Sequence, residues 1–195
     1  MAKFDHFNLL SPVYDLVFGR TSQSAIIELA EIKPHHTVLD VGGGTGRVAV
    51  QMIPIAQSTI IADSALKMIR EAQKKGINAI NANAEQLPFK DGTFDRIIMV
   101  DALHHVVDQR QTLDELRRLL KPGGMLVIEE PDIHHWLVKL IALGEKLLLM
   151  RSHFLKPQEI KAMCSCLDVR SVDIHTDKGI AWIVIRKNNQ LDQKE

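Results

Sequence analysis

This chain lacks an excess of charge of either sign. Its 24 Lys and Arg are matched by 24 Asp and Glu, so no global field draws it to nucleic acid or to an anionic membrane. Cysteine is scarce, with two among 195 residues. Cys164 and Cys166 sit two apart in a helical pattern, where side chains do not face each other, and no third thiol is present to complete a zinc cluster. Cytosol is the expected compartment. Long apolar runs are missing as well. The most hydrophobic window, WLVKLIALGEKLLLM at 136–150, carries Lys139, Glu145 and Lys146 and is shorter than the roughly 20 residues that span a bilayer. The opening MAKFDHFNLL has acid and histidine where a secretory leader needs an apolar core. Internal repeats and low-complexity tracts are absent. What remains is a chain with 46% hydrophobic residues, enough for one sizeable core: a single domain over 1–186 and a polar tail, KNNQLDQKE, at 187–195.

Strand-like runs alternate with helical patterns. The runs are TVLDV (37–41), STIIAD (58–63), INAIN (77–81), FDRIIMV (94–100) and MLVIEE (125–130), with helices expected at about 46–53, 64–75 and 109–120 between them. This alternation predicts a parallel sheet with helical crossovers. Lys121-Pro122-Gly123-Gly124 reads as a helix stop followed by a turn. Residues 133–150 form a helix apolar nearly all round, inside a helical insertion at 131–156, and PQEIKAMCSCL opens a shorter helix at Pro157, a good first helical position. Two strands at about 168–175 and 180–186 flank TDKG, a hairpin signal that turns the final strand antiparallel.

TVLDVGGGTG at 37–46 places glycines where a backbone meets a ligand. A phosphate-cradling loop is excluded, because GGGTGRVA has no lysine at the required place. A dinucleotide fingerprint survives: Gly44, Gly46 and Ala49 satisfy G-x-G-x-x-A, and Asp63 follows the second strand at a suitable distance. A third loop uses more residues, namely Asp40 ending the first strand and glycines at alternate positions 42, 44 and 46.

With that acid and G-x-G-x-G the sequence resembles the class I S-adenosylmethionine-dependent methyltransferases. The likeness continues through Asp63, NAEQLPFKDGTFD (83–95), DALHHV (101–106) and LRRLLKPGGMLVIEE (116–130), in the family's order across roughly residues 37–130. A dehydrogenase gives no reason for the last three segments. The resemblance implies an α/β fold: a doubly wound, Rossmann-like, seven-stranded and mostly parallel sheet with the last strand antiparallel, helices on both faces and a helical lid. It implies S-adenosylmethionine as cofactor and a small, apolar or aromatic methyl acceptor. Nucleic acid is disfavoured because DALHH stands where an Asn-Pro-Pro-Tyr signature would be. The alternatives are an NAD(P)-dependent oxidoreductase and a non-catalytic cofactor-binding module.

The resemblance also assigns positions. Gly42, Gly44 and Gly46 would lie against the methionyl and ribose part, with Gly43 as small filling. Asp40 would sit near the amino group. Asp63, followed by Ser64, would accept the ribose hydroxyls, the alternative being a helix N-cap. Asn83-Ala84-Glu85 stands where relatives read Asp-Ala-Glu, so Asn83 would meet the adenine amino group without charge assistance. Met68 either covers the adenine or belongs to the core. Asp101, Ala102 and Leu103 would complete the cofactor wall, while His105, and after it His104, are candidates to act on the acceptor, the alternative being that they brace the loop. Tyr14, in an N-terminal lid segment at 1–30 similar to that of the quinone-biosynthesis methyltransferases, is a further candidate near the methyl donor. Arg20 is either a partner of the methionyl carboxylate or solvated. His134 and His135 follow the fifth strand and are a second candidate pair within reach of the same cleft. Asp101, Glu130 and Asp132 could suggest a divalent ion, but no compact ligand motif accompanies them and no metal is expected. The helix at 133–150 is either a lid or a homodimer interface.

Overall fold

A computed structural model describes residues 22–132, 153–165 and 168–189. Its elements are, in order, α1 (Ser22–Leu29), β1 (Thr37–Val41), α2 (Ala49–Met52), β2 (Ser58–Asp63), α3 (Leu66–Lys74), β3 (Asn78–Asn81), β4 (Phe94–Val100), a short 3-10 turn (Leu103–His105), α4 (Gln109–Leu119), β5 (Leu120–Pro131), α5 (Pro157–Ser165), β6 (Val169–Asp177) and β7 (Ile180–Lys187). Tyr14, Arg20, His134, His135, Cys166 and the apolar stretch 133–150 lie outside the described residues. Among the described residues no helix is long and apolar enough to cross a membrane.

Seven strands form one sheet in the order β3-β2-β1-β4-β5-β7-β6. The pairs β2–β3, β1–β2, β1–β4 and β4–β5 are parallel, and β7 runs antiparallel to both β5 and β6. The expected topology therefore holds. Strand order reverses between β1 and β4, and in such sheets the crevice beyond the carboxyl ends of those two strands receives the ligand.

Alternate side chains of the central strands feed two cores. Leu39, Ile97, Met99, Leu126 and Ile128 pack with Leu113, Leu116 and Leu119 of α4 and Ile160 of α5. Val38, Ile61, Ile98 and Val127 pack on the other face with Ile26 of α1, Ala49 and Met52 of α2, and Ile69 of α3. Each such leucine or isoleucine contributes about 2 kcal/mol relative to leaving it in water, so both helical layers are fixed by apolar burial. Polar ends are closed individually. Asp108 accepts the Gln111 N–H at the start of α4, Lys187 Nζ donates to the carbonyls of Arg117 and Leu120 at its end, and buried Arg96 Nε donates to Ala30 O just past α1.

Two boundaries differ from expectation. The helix expected at 46–53 shrinks to Ala49–Met52, because Gly46 closes a turn onto Gly43 O before the helix can start. The predicted turn at Lys121–Gly124 is absorbed into β5 as an irregularity, since Leu120 already pairs with Phe94 and the register resumes at Arg96 and Met125.

Candidate functional site

Beyond β1 the chain turns into the glycine loop, and each glycine there has its own reason. Gly42, Gly44 and Gly46 all have positive φ. A Cβ on Gly42 would lie 2.5 Å from Ala102 Cβ, one on Gly43 would lie 2.6 Å from the Asp40 carboxylate, and one on Gly46 would lie 2.4 Å from Ile77 Cδ1. Gly44 alone faces open space. Gly43 and Gly46 are thus packing glycines, Gly42 lets the β4 loop approach, and Gly44 presents bare backbone to a ligand.

Asp40 is 1% exposed, and its Oδ2 has no hydrogen-bond partner. Burial, with Asp63 adding repulsion against the pull of Arg47 and the Ala49 N–H, raises its pKa to about 7. An unpartnered buried carboxylate oxygen suits a cationic amino group, and the open side of Gly44 suits a close-lying ligand. The residues present therefore fit the cofactor that the resemblance implies.

Asp63 ends β2 and ties two loops together, taking the Gly44 N–H on Oδ2 at 2.9 Å and the Ala65 N–H on Oδ1 at 2.7 Å. The N-cap of α3 is Ala65, so Asp63 does not cap that helix. Each of its oxygens retains a lone pair, enough for two vicinal hydroxyls. Ser64 is exposed and Met68 half-buried at the start of α3. Asn83 is exposed, accepting the Glu85 N–H and donating to Glu85 Oε2. Ala84 is half-buried beside it.

Glu85, expected at the cofactor, joins two loops. Its Oε1 accepts the N–H groups of Val107 and Asp108 at 2.8 and 2.9 Å, which clamps the loop after β4 to the loop after β3. Those donors hold its pKa below the usual carboxylate range.

After β4 comes Asp101 with φ 51°, a conformation that Asp tolerates better than most residues. Its N–H donates to Glu129 O at 2.9 Å and its carboxylate lies 3.7 Å from Arg47. Desolvation, then Glu129 and Glu130, push its pKa up to about 7. Leu103 is fully buried. His104 is 4% exposed, bonds Glu130 Oε2 through Nδ1 at 2.5 Å and stacks on Phe154 with ring centroids 4.4 Å apart. These contacts are those of the bracing alternative. His105 is half-buried with its ring centroid 3.9 Å from that of His104, and burial and His104 push its pKa down to about 3. It is a neutral imidazole at working pH.

Sequence reasoning missed Arg47, Gln109 and the bracing role of Glu130. Arg47 follows the last glycine directly and was legible by position. Glu130 was visible as an acid ending a strand, but its partners lie 26 to 28 residues away. Among the described residues no group of three His, Cys, Asp or Glu side chains is arranged to hold a metal ion.

Residues 39–128 match a family model described as a methyltransferase domain. Over 140 residues the chain is 38% identical to the ubiquinone/menaquinone biosynthesis C-methyltransferase UbiE of Shewanella piezotolerans, covering 66% of this chain and 55% of that protein. Over 135 residues it is 31% identical to the enzyme of the same name from Pasteurella multocida, covering 64% and 50%. The chain thus spans about half the length of the curated relatives it matches. Among solved structures, a SAM-dependent methyltransferase from Thermotoga maritima superposes with a TM-score of 0.79 at 22% identity, covering 95% of this chain and 98% of that one. The YcgJ protein of Bacillus subtilis gives 0.75 at 21% identity, covering 86% and 98%. At these identities the structural likeness shows the fold.

Proposed function

We propose, from the premise that residues 39–128 are a methyltransferase domain of the class I, S-adenosylmethionine-dependent type similar to the quinone-biosynthesis enzymes, that this chain moves a methyl group onto a small, apolar or aromatic acceptor. One observation carries the cofactor half of this reading: the buried Asp40 carboxylate with an unpartnered Oδ2, beside a loop whose Gly44 opens on free space. Asp40 would hold the amino group, Gly42–Gly44 the methionyl part, Asp63 the ribose hydroxyls, and Asn83 and Ala84 the base. When bound, S-adenosylmethionine supplies a methyl group already activated by its sulfonium. The protein is left with alignment and the exclusion of water.

His105 orients the acceptor. With its pKa near 3 the ring is a weak base that stays neutral, carrying one N–H and one lone pair, at any working pH. The acceptor class is supported by the relatives, named for carbon methylation in ubiquinone and menaquinone synthesis. A demethylated quinol is therefore the first acceptor to try.

Calorimetric titration with S-adenosylhomocysteine and with NAD tests the cofactor: micromolar affinity for the first alone is expected, and affinity for NAD alone overturns the proposal. Transfer of labelled methyl to demethylated quinols tests the acceptor. In the same assay His105→Gln should cost about tenfold in kcat, below the range of a true general base, with cofactor affinity unchanged. Equal turnover of the variant removes His105 from the chemistry.

A further inference from the structure

We propose that Glu130 is a positioning residue: its carboxylate locks the loop after β4 against the glycine loop and so sets the geometry for methyl transfer. The proposal rests on the function inferred above. Glu130 is 4% exposed near the end of β5. Its Oε1 accepts the N–H groups of Ala102 at 3.1 Å and Leu103 at 2.8 Å, and its Oε2 meets His104 Nδ1 at 2.5 Å. One buried carboxylate thus holds three consecutive residues. A carboxylate survives in such a place only when donors surround it, and donors so gathered cannot move independently.

What Glu130 holds is the piece on which the site is assembled. Ala102 fills the space that a side chain on Gly42 would need, so the placing of Ala102 determines how the glycine loop lies. Asp101, just before it, faces Arg47 at the end of that loop. On the far side His104 O accepts the His153 N–H at 2.8 Å, and Gln109 Nε2 bridges Leu103 O and His153 O at 3.1 and 2.7 Å. His104 therefore joins the β4 loop to residues 153–154, with His105 carried beside it. Because Glu130 Oε2 accepts, the proton of His104 sits on Nδ1. The bonds of Glu130 go to this loop, through which it acts.

Glu130→Gln keeps the shape and removes one acceptor. Its amide can serve the Ala102 and Leu103 N–H groups only by turning its NH2 toward His104 Nδ1, which must then give up its proton. Nitrogen NMR of the imidazoles should show His104 moving from the Nδ1–H to the Nε2–H tautomer, or else amide exchange at Ala102 and Leu103 should rise at least about 100-fold. S-adenosylhomocysteine affinity should fall about tenfold as the two loops lose their fit. Arg96→Met removes a buried hydrogen bond far from the loop and serves as the control: it should lower Tm and leave that affinity unchanged. A variant Glu130→Gln with wild-type tautomer and exchange overturns the proposal, as does equal loss of affinity in Arg96→Met. In the wild-type protein itself, Ala102 and Leu103 amides should exchange only through global unfolding, and fast local exchange there also overturns it. If wild-type protein binds no S-adenosylhomocysteine the proposed function fails, while tautomer and exchange still judge Glu130.

Discussion

Two loops meet beyond β1 and β4, and they use their polar groups in opposite ways. Around the glycine loop a buried oxygen of Asp40 has no partner and Gly44 faces open space. Around the β4 loop Glu130, Glu85 and Gln109 each satisfy several backbone or side-chain groups of neighbouring segments. An unsatisfied buried carboxylate costs folding free energy and is kept where a ligand completes it. A fully satisfied cluster is rigid and offers little to a ligand. The first loop leaves polar groups open and the second ties its own down.

The buried titratable groups of the two loops leave their own signatures in pH. Asp40 and Asp101 titrate near 7 in the fold against an ordinary 3.8, so the folded state keeps protons that the unfolded chain has released. Their contribution to stability therefore falls as pH rises from about 4 to about 7. His105 titrates near 3 against 6.5, so its contribution is lost as pH falls from about 6.5 toward 3.

The most damaging test breaks the contact between the loops. Gly42→Val places a β-branched residue at φ 71° with its Cβ 2.5 Å from Ala102, and should cost about 3 kcal/mol or more in urea unfolding while abolishing S-adenosylhomocysteine binding. Retained binding would show that the two loops need not touch. Asp40→Asn sharpens the receiving side. Losing the charged acceptor should weaken S-adenosylhomocysteine about 100-fold by calorimetry, while the drop in unfolding free energy between pH 4 and 7 becomes shallower. An unaltered slope would assign that dependence to Asp101 alone. The smallest effect is expected at Asn83→Asp. A carboxylate there gains charge at the adenine amino group but loses the donation to Glu85 Oε2 and meets that carboxylate with like charge, so affinity should shift by no more than about threefold. A tenfold gain would mean that Glu85 does not restrain this position.

Much of the fold was legible. The strands at 37–41, 58–63 and 94–100 and the antiparallel end follow from period and hairpin chemistry, which are local properties. The helix Ala49–Met52 is shorter than the expected 46–53 because a closing glycine turn weakens no apolar pattern. Positions around Asp40 and Asp63 were visible because acids at strand ends beside glycines mark themselves. The bonds that Glu85 and His104 make to residues 22 to 26 positions away carry no such local mark.

By itself the sequence determined the strand order's raw material, the positions that need glycine and the acids that could meet a ligand, since each depends on neighbours a few residues away. Only the tertiary structure decided which carboxylate stays open and which braces. Asp40 and Glu130 both end parallel strands and both are buried. One finds an oxygen without a partner and the other finds Ala102, Leu103 and His104, because partners are supplied by whichever loop the sheet brings alongside.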